Sequence, residues 1–271
     1  MKIQVRDIAI EYEFDGPDDA PVIILHHSLA TSHQMWEDLA IALTQVHRVL
    51  RFDARGHGLS EGSDGPYDFE LLAGDVTGLM DALGIDKAHH VGISMGGMVS
   101  QYLGIHAPGR VASLTLVSTT SNMPSQAGPI WDQRIKDVKE NGMAPQVEAT
   151  IKRWFTKEFR DADDDVIGDI RKLIANTPVN GYCGWGAAIR DLALTDQLGN
   201  ITAPTQVIGG ANDPGTPPAN SQVIADGIHG AALHIFEDAS HMLPLQQPDR
   251  FIETLIDFLD ELDEQNEEDA A

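Results

Sequence analysis

The strongest structural signal in this sequence is Val91-Gly92-Ile93-Ser94-Met95-Gly96-Gly97-Met98. It places a G-x-S-x-G pattern directly after a β-rich run that begins at Ala88 and directly before a helical pattern. A serine between such a strand and helix is typical of a nucleophile elbow, a tight turn that exposes the serine hydroxyl above the sheet. Glycines are needed in this turn because the strand and the helix approach too closely for a β-carbon. The pattern therefore predicts that Ser94 is a catalytic nucleophile.

Short β-rich runs alternate with helical patterns on both sides of this turn. The predicted strands cover residues 22–25, 48–52, 88–91, 113–117, 205–208 and 232–236. One of the intervening helices is indicated by apolar residues on one face between Leu72 and Leu83, with Gly84 placed to end it. Alternation of this kind predicts the α/β class, with a mostly parallel central sheet flanked by helices.

The alternation stops between residues 121 and 198, where helical patterns continue but no strand is predicted. Three of the four tryptophans, Trp131, Trp154 and Trp185, lie in this stretch. A small helical layer needs large side chains to bury itself, and a pocket between this layer and the sheet would use some of them. We therefore predict an inserted helical cap at 121–198 and an α/β core formed by 1–120 and 199–271.

Composition limits the classes of partner. The chain has 271 residues, enough for one large domain that carries an insertion. Its 18 Lys and Arg against 42 Asp and Glu give a formal net charge of −24, which disfavours nucleic acid and anionic membrane surfaces. The single cysteine, Cys183, cannot form an intramolecular disulfide, and the sequence predicts neither a signal peptide nor a membrane span. We expect a cytoplasmic protein that acts on a small molecule, and its oligomeric state is left open.

A serine nucleophile needs a base, and the base needs an acid that holds its tautomer. In this fold class the expected chain order is serine, acid, histidine. His241 fits as the base because it lies between the last predicted strand and the last predicted helix. Asp213 fits as the acid because it follows the end of a buried strand, where open α/β sheets assemble active sites. Asp238 lies only three residues before His241, and Asp53 is better suited to ordering a loop.

Acyl transfer also needs two backbone donors for the oxyanion of the tetrahedral intermediate. The residue after the nucleophile, Met95, supplies one N–H group. The second is expected from the loop after an early strand, where we select the N–H group of Leu29.

The residues Ser94, Asp213 and His241, together with the stretch 53–58 and the helical insertion, resemble the α/β-hydrolase superfamily across nearly the whole chain. Within it, the chain resembles the 3-oxoadipate enol-lactonase family in the stretches 28–29, 35–36, 51–58, 131–135, 153–155 and 187–191. Two departures are His27-Ser28-Leu29-Ala30, where that family usually has Asn-Ser-Leu-Gly, and Met242-Leu243-Pro244, where Leu-Ser-Asn is expected. These departures leave room for a related lactone or ester.

The resemblance implies hydrolysis of a carboxylate-bearing enol-lactone in aromatic-compound catabolism. Ser94 would attack the lactone carbonyl, His241 would carry the proton, and an acyl-enzyme would form and be hydrolysed. Neither a metal nor an organic cofactor is expected. The substrate carboxylate needs a cation, for which Arg134 and Arg190 are the candidates. Trp131 and Trp154 are expected to line the substrate pocket.

Two other functions stay open. The same three catalytic residues could serve a general carboxylesterase that acts on small esters. Members of this superfamily also include non-catalytic ligand receptors, although the intact set of Ser94, Asp213 and His241 argues against that function. Dehalogenases and epoxide hydrolases are disfavoured because they have aspartate at the position of Ser94.

Overall fold

A computed structural model describes residues 1–162 and 164–270 and shows the predicted α/β-hydrolase architecture. One sheet of eight strands has the order β1-β2-β4-β3-β5-β6-β7-β8. Strands β3 to β8 are parallel, and β1 and β2 join one edge in antiparallel pairs. The strands are β1 (Lys2–Val5), β2 (Ile8–Asp15), β3 (Val22–His26), β4 (Arg48–Phe52), β5 (Ala88–Ile93), β6 (Val111–Val117), β7 (Thr205–Gly210) and β8 (Ala232–Phe236).

The central parallel strands are buried on both faces because helices cover the sheet from both sides. Ile23, Ile24 and Leu25 of β3 are all fully buried, so this strand shows a continuous apolar run instead of an alternating one. All six strands predicted from such runs are present, and most extend by one or two residues beyond their predicted ends.

The antiparallel edge was not predicted from the sequence. Strand β2 alternates, with Ile8 and Ile10 buried and partly exposed residues between them, so it lacks a long apolar run. Its hairpin with β1 turns at Arg6 and Asp7 without glycine or asparagine, although Arg6 has a φ of 52°. The usual composition of a hairpin turn is therefore missing.

The helix predicted between Leu72 and Leu83 is present as α2 (Phe69–Leu83). The side chain of Asp68 accepts a hydrogen bond from the N–H of Leu71 at the start of α2, and Gly84 adopts a left-handed conformation at its end. Between β3 and β4 the chain forms a 3₁₀ turn at His33–Trp36 followed by a short α-helix. The flanking helices are α1 (Glu37–Leu43), α2 (Phe69–Leu83), α3 (Met95–His106), α9 (Pro218–Gly227), α10 (Leu243–Gln246) and α11 (Pro248–Ala270).

The stretch between β6 and β7 is helical, and we call residues 121–198 the cap segment. Its described residues form one isolated β-bridge, between Asn122 and Ala193, and no strand. That bridge and the hydrogen bond from Leu194 N to Ser121 O bring the two ends of the segment together beside the sheet. The helices of the cap segment are α4 (Gly128–Asn141), α5 (Val147–Trp154), α6 (Lys157–Ala162), α7 (Asp164–Asn176) and α8 (Val179–Arg190).

Candidate active site

Ser94 occupies the single residue between β5 and α3, in the turn that the sequence predicts. Its φ of 54° and ψ of −114° are an unfavourable combination for a residue with a side chain. The neighbouring glycines allow the close approach. A β-carbon on Gly96 would lie 2.5 Å from the carbonyl oxygen of His26, and one on Gly92 would lie 2.5 Å from the backbone of Gly96. The strand, the turn and the helix thus pack too tightly for larger residues.

The loops that follow the parallel strands meet at the carboxyl edge of the sheet. Backbone hydrogen bonds join each loop to the next, so the positions after β5, β6, β7 and β8 form one connected set. The bonds are Ser94 N to Val117 O at 2.9 Å, Ser118 N to Ile208 O at 2.8 Å, and Asn212 N to Ala239 O at 2.9 Å. Parallel strands therefore bring four distant stretches of sequence to one edge.

His241 and Asp213 are in direct contact at this edge. The imidazole Nδ1 of His241 lies 2.6 Å from Oδ2 of Asp213, and both side chains are buried. The other oxygen, Oδ1, accepts hydrogen bonds from the N–H groups of Gly215 and Thr216, and the Thr216 hydroxyl donates to Oδ2. Asp238, the alternative acid, is exposed. The carboxylate that orients the His241 ring is that of Asp213.

Asp213 is held in its ionised form. Burial by itself raises the pKa of this carboxyl, but the charge of His241 and hydrogen bonds from His241 and Thr216 outweigh burial and lower the pKa to about 2. A carboxylate that stays ionised at neutral pH can hold the Nδ1–H tautomer of the ring, which leaves Nε2 free to accept a proton.

Ser94 lies at the same edge but is not hydrogen-bonded to the imidazole. Its backbone carbonyl accepts a hydrogen bond from the Thr119 hydroxyl at 2.8 Å, and Oγ bonds to no residue in the described part of the chain. Catalytic hydrogen bonds are often long in ligand-free structures and shorten when substrate binds. The structure therefore places Ser94 at the same sheet edge as the histidine–aspartate pair, with no hydrogen-bond partner for its hydroxyl among the described residues.

The two predicted oxyanion donors lie at adjacent element ends. Met95 is the first residue of α3, so its N–H group has no partner within the helix. Leu29 is in the loop after β3, and its N–H group donates to no described residue. The two elements touch, because His26 at the end of β3 contacts Gly96 at the start of α3.

The neighbouring loop after β4 is ordered by Asp53. Its Oδ1 accepts hydrogen bonds from the backbone N–H and from Nδ1–H of His33, and its Oδ2 accepts one from the N–H of Leu59, all at 2.8 Å. This buried carboxylate thus ties the loop after β4 to the segment after β3, which agrees with the ordering function predicted for it.

The cap segment contacts the His241 loop directly. The indole of Trp154 stacks on the His241 ring with a centroid distance of 5.8 Å and an interplanar angle of 21°. The N–H of Met242 donates to the Trp154 carbonyl at 3.0 Å, and the hydroxyl of Ser240 donates to the Arg153 carbonyl at 3.2 Å. Trp154, one of the predicted pocket residues, therefore lies against the ring of His241, the predicted base.

The two predicted cationic residues of the cap segment have different surroundings. Arg190 forms ion pairs with Asp132 at 2.8 Å and with Asp191 at 2.7 Å, so its charge is already neutralised. Arg134 lies over the ring of Trp131, 4.6 Å from its centroid, and forms no ion pair with the residues described. Of the two, Arg190 is already paired with carboxylates, and Arg134 has no carboxylate partner among the described residues.

Arg153 is a second unpaired cation that the sequence analysis missed. It is partly buried, donates to the Thr150 hydroxyl at 3.0 Å, and pairs with no carboxylate in the described chain. Burial lowers the pKa of Arg153, and the positive charge of Arg134 lowers it further. Burial raises the pKa of Tyr182, and both arginines oppose that rise, so the three side chains lie close together. The sequence signal that could have identified Arg153 is its position directly before Trp154, a predicted pocket residue.

Among the described residues, no group of three or more His, Cys, Asp or Glu side chains is arranged to hold a metal ion. None of the helices described is both long enough and apolar enough to cross a membrane.

The chain is similar to known proteins in both sequence and structure. A family model described as alpha/beta hydrolase fold matches residues 21–248. The chain is 33% identical to 3-oxoadipate enol-lactonase 1 of Acinetobacter baylyi over 92% of each chain. The crystal structure of the enol-lactonase from Burkholderia xenovorans matches with a TM-score of 0.93 and 35% identity, covering 96% of this chain and 99% of that one. A thermophilic esterase from Thermogutta terrifontis matches with a TM-score of 0.89 and 27% identity, covering 97% and 98%.

Proposed function

This chain belongs to the α/β-hydrolase family, and on that basis we propose that it is a serine hydrolase that opens a carboxylate-bearing enol-lactone such as 3-oxoadipate enol-lactone. The observation that carries the substrate class is a pair of arginines, Arg134 and Arg153, that have no carboxylate partner among the described residues and lie in the cap segment, which contacts the His241 loop through Arg153 and Trp154. The similarity to two enol-lactonases supports the same reaction.

In the first half of the proposed reaction, Ser94 Oγ attacks the carbonyl carbon of the lactone while Nε2 of His241 accepts its proton. Asp213 holds the ring by its contact with Nδ1 and stabilises the imidazolium that forms. The N–H groups of Leu29 and Met95 stabilise the oxyanion. Collapse of the tetrahedral intermediate breaks the ring C–O bond, and His241 returns its proton to the enol oxygen. The free enol becomes a ketone, which disfavours ring closure.

In the second half, a water molecule attacks the acyl-enzyme as His241 accepts one of its protons. The same two N–H groups stabilise the second oxyanion, and collapse of this intermediate releases the dicarboxylic acid and restores Ser94. Every proton moves between Ser94, water, the substrate and His241.

The arginine pair explains how a strongly acidic protein could bind an anion. A formal charge of −24 repels a carboxylate at long range, so binding requires a local positive site. An arginine that already pairs with carboxylates, such as Arg190, provides little extra attraction. Arg134 and Arg153 repel each other and lie partly out of water, so a substrate carboxylate between them would relieve an existing cost.

The second candidate is a general carboxylesterase, favoured by the apolar surroundings of the site. Trp154 covers the His241 ring and Trp131 lies beneath Arg134, so a neutral ester could pack against the same side chains. The relative from Thermogutta terrifontis is itself an esterase.

We include a cytoplasmic location in the proposal. The single cysteine, Cys183, is free and buried, which is compatible with that location.

The deciding experiment compares kcat/KM for enzymatically generated 3-oxoadipate enol-lactone and for a neutral butyrate ester. We expect the lactone to be preferred, and Arg134→Ala and Arg153→Ala each to lower its kcat/KM by about 10- to 100-fold while leaving the ester within about threefold, since loss of a charged hydrogen bond costs about 1.5–3 kcal/mol. Arg190→Ala is the matched control and should leave both rates nearly unchanged. Equal turnover of the neutral ester by the wild-type protein would instead establish the carboxylesterase.

A further inference from the structure

Two loops near the candidate site are joined by buried histidine side chains, each of which accepts a hydrogen bond from the backbone of the other loop. His27, in the loop after β3, accepts a hydrogen bond at Nε2 from the N–H of Ala54 at 3.0 Å. His57, in the loop after β4, accepts one at Nε2 from the N–H of Ala30 at 3.1 Å. The ring centroids are 5.2 Å apart, and both side chains are almost completely buried. Each loop therefore holds the backbone of the other through a histidine.

The hydrogen bonds assign the protons on both rings. His27 has Nδ1 2.8 Å from the carbonyl oxygen of Ser28, and His57 has Nδ1 3.4 Å from the carbonyl oxygen of Arg55. A nitrogen facing a carbonyl must donate, and one facing a backbone N–H must accept. Both rings are therefore neutral and carry their proton on Nδ1. Burial lowers the pKa of each, that of His57 to about 3, so this state persists at neutral pH.

The contact between His27 and Ser28 acts on the peptide that carries an oxyanion donor. The carbonyl oxygen of Ser28 accepts hydrogen bonds from His27 Nδ1–H and from the backbone N–H and hydroxyl of Thr31. This carbonyl and the N–H of Leu29 belong to one planar trans peptide, so they point in opposite directions. Anchoring the carbonyl oxygen within the protein turns the Leu29 N–H outward.

His57 acts on the next peptide. Ala30 has a φ of 62°, in the left-handed region that disfavours residues with a β-carbon. Its N–H group donates to His57 Nε2, which holds the strained conformation. The peptides before and after Leu29 are thus fixed by two different imidazoles, while the Leu29 N–H itself bonds to no described residue.

We propose that His27 and His57 are positioning residues that orient the Leu29 N–H toward the oxyanion of the transition state. The inference rests on the proposed function only in assigning Leu29 to the oxyanion hole. It is independent of whether the substrate is a lactone or an ester. The charged and titratable groups around the two rings are Asp53, His33 and His26, with each histidine facing the other.

The test uses pairs of variants that keep or remove one hydrogen bond. His57→Gln places an oxygen near the position of Nε2, whereas His57→Leu fills the space without an acceptor. His27→Asn keeps a donor toward Ser28, whereas His27→Leu removes it. We expect each leucine variant to lower kcat by about 100-fold with little change in KM, because the oxyanion contact forms only in the transition state. The glutamine and asparagine variants should recover most of this loss.

Rates are measured on p-nitrophenyl acetate and divided by the concentration of active sites from burst titration. His89→Leu is the matched control, because it removes an imidazole that bonds to Ser113, away from this loop, and should leave kcat unchanged. Affinity for a trifluoromethyl ketone, which forms a tetrahedral adduct, should fall in parallel with kcat. A general loss of packing would not produce that parallel. Should His57→Leu not fold, His57→Asn takes its place, since its shorter side chain also lacks an acceptor at Nε2.

A further variant tests the strain at Ala30. Glycine adopts a positive φ at little cost, so Ala30→Gly in the His57→Leu background should restore part of the lost kcat. If Ala30→Gly did not restore kcat, the inference that the His57 hydrogen bond stabilises the left-handed conformation of Ala30 would be contradicted. If Ser94→Ala still hydrolysed the ester, the proposed nucleophile would be wrong. If Ser94→Ala were inactive while His57→Leu and His27→Leu kept wild-type kcat, the positioning proposal alone would be overturned.

Discussion

The loops at the carboxyl edge of the sheet and the cap segment differ in whether their charged side chains have partners. At the sheet edge, the Asp213 carboxylate accepts hydrogen bonds from His241, Thr216 and Gly215, so its charge is satisfied before any ligand arrives. In the cap segment, Arg134 and Arg153 lie close to each other without a carboxylate partner among the residues described. Under the function proposed above, the sheet edge performs the chemistry and the cap segment selects the substrate.

The sheet edge and the cap segment also differ in the contacts that hold them in place. The sheet edge is organised by backbone hydrogen bonds between neighbouring strands, which leave little freedom for the groups they position. The cap segment touches this edge through Trp154, whose ring and carbonyl both contact the loop that carries His241. Substitutions at the edge should therefore affect every substrate, and substitutions in the cap segment should distinguish one substrate from another.

The largest expected effect is that of Ser94→Ala. Loss of the nucleophile should lower kcat by about 10⁴- to 10⁶-fold for lactone and ester alike, without a loss of thermal stability. Ser118→Ala is a matched control, because Ser118 directly follows β6, has a φ of 42°, and has a buried hydroxyl without a partner in the described chain. Kinetics on both substrates check the prediction. Loss for only one substrate would break the distinction between the two regions.

The next largest effect is expected for Asp213→Asn. An amide at this position favours the wrong tautomer of His241, so kcat should fall by about 10⁴-fold while the fold is kept. Asp238→Asn is the control, since that exposed side chain should be dispensable. Both variants are measured by steady-state kinetics at pH 7.5. Comparable losses in the two would contradict the assignment of the acid.

A smaller effect is expected in the pH dependence of the free energy of unfolding, to which histidines outside the cap segment contribute. All eleven histidines lie outside residues 121–198, and burial lowers the pKa of His57 to about 3 and that of His90 to about 4. Between these values and the unfolded value near 6.5, the unfolded chain binds more protons than the folded one. The stability present above about pH 6.5 is therefore lost as the pH falls, by about 1.4 kcal/mol per pH unit for each such histidine.

His33 acts in the opposite sense, because the Asp53 carboxylate raises its pKa despite burial. Urea unfolding between pH 7.5 and pH 5 measures the sum of these contributions. We expect the free energy of unfolding to decrease across this range, and His90→Asn to reduce the slope. A constant free energy of unfolding would show that the buried imidazoles are protonated as readily in the folded protein as in the unfolded chain.

Much of the sheet could be predicted from the sequence because its signals are local. A buried parallel strand is a continuous apolar run, and the turn at Ser94 is recognised from glycines within two residues of it. The order of Ser94, Asp213 and His241 follows from which strand precedes each of them. The hairpin of β1 and β2 was missed because its alternating pattern is short and its turn at Arg6 and Asp7 lacks the usual residues.

The arrangement of charges could not be predicted in this way, because it depends on contacts between residues far apart in the chain. Arg190 and Arg134 look alike in sequence, yet folding brings Asp132 to Arg190 and leaves Arg134 beside Arg153. The exchange of imidazoles between two loops likewise exists only after β3 and β4 pair. Local sequence therefore determined the elements and the candidate catalytic residues. Tertiary packing determined which charges are neutralised and which peptide groups are held in place, since Coulomb and hydrogen-bond energies depend on distances that no local pattern contains.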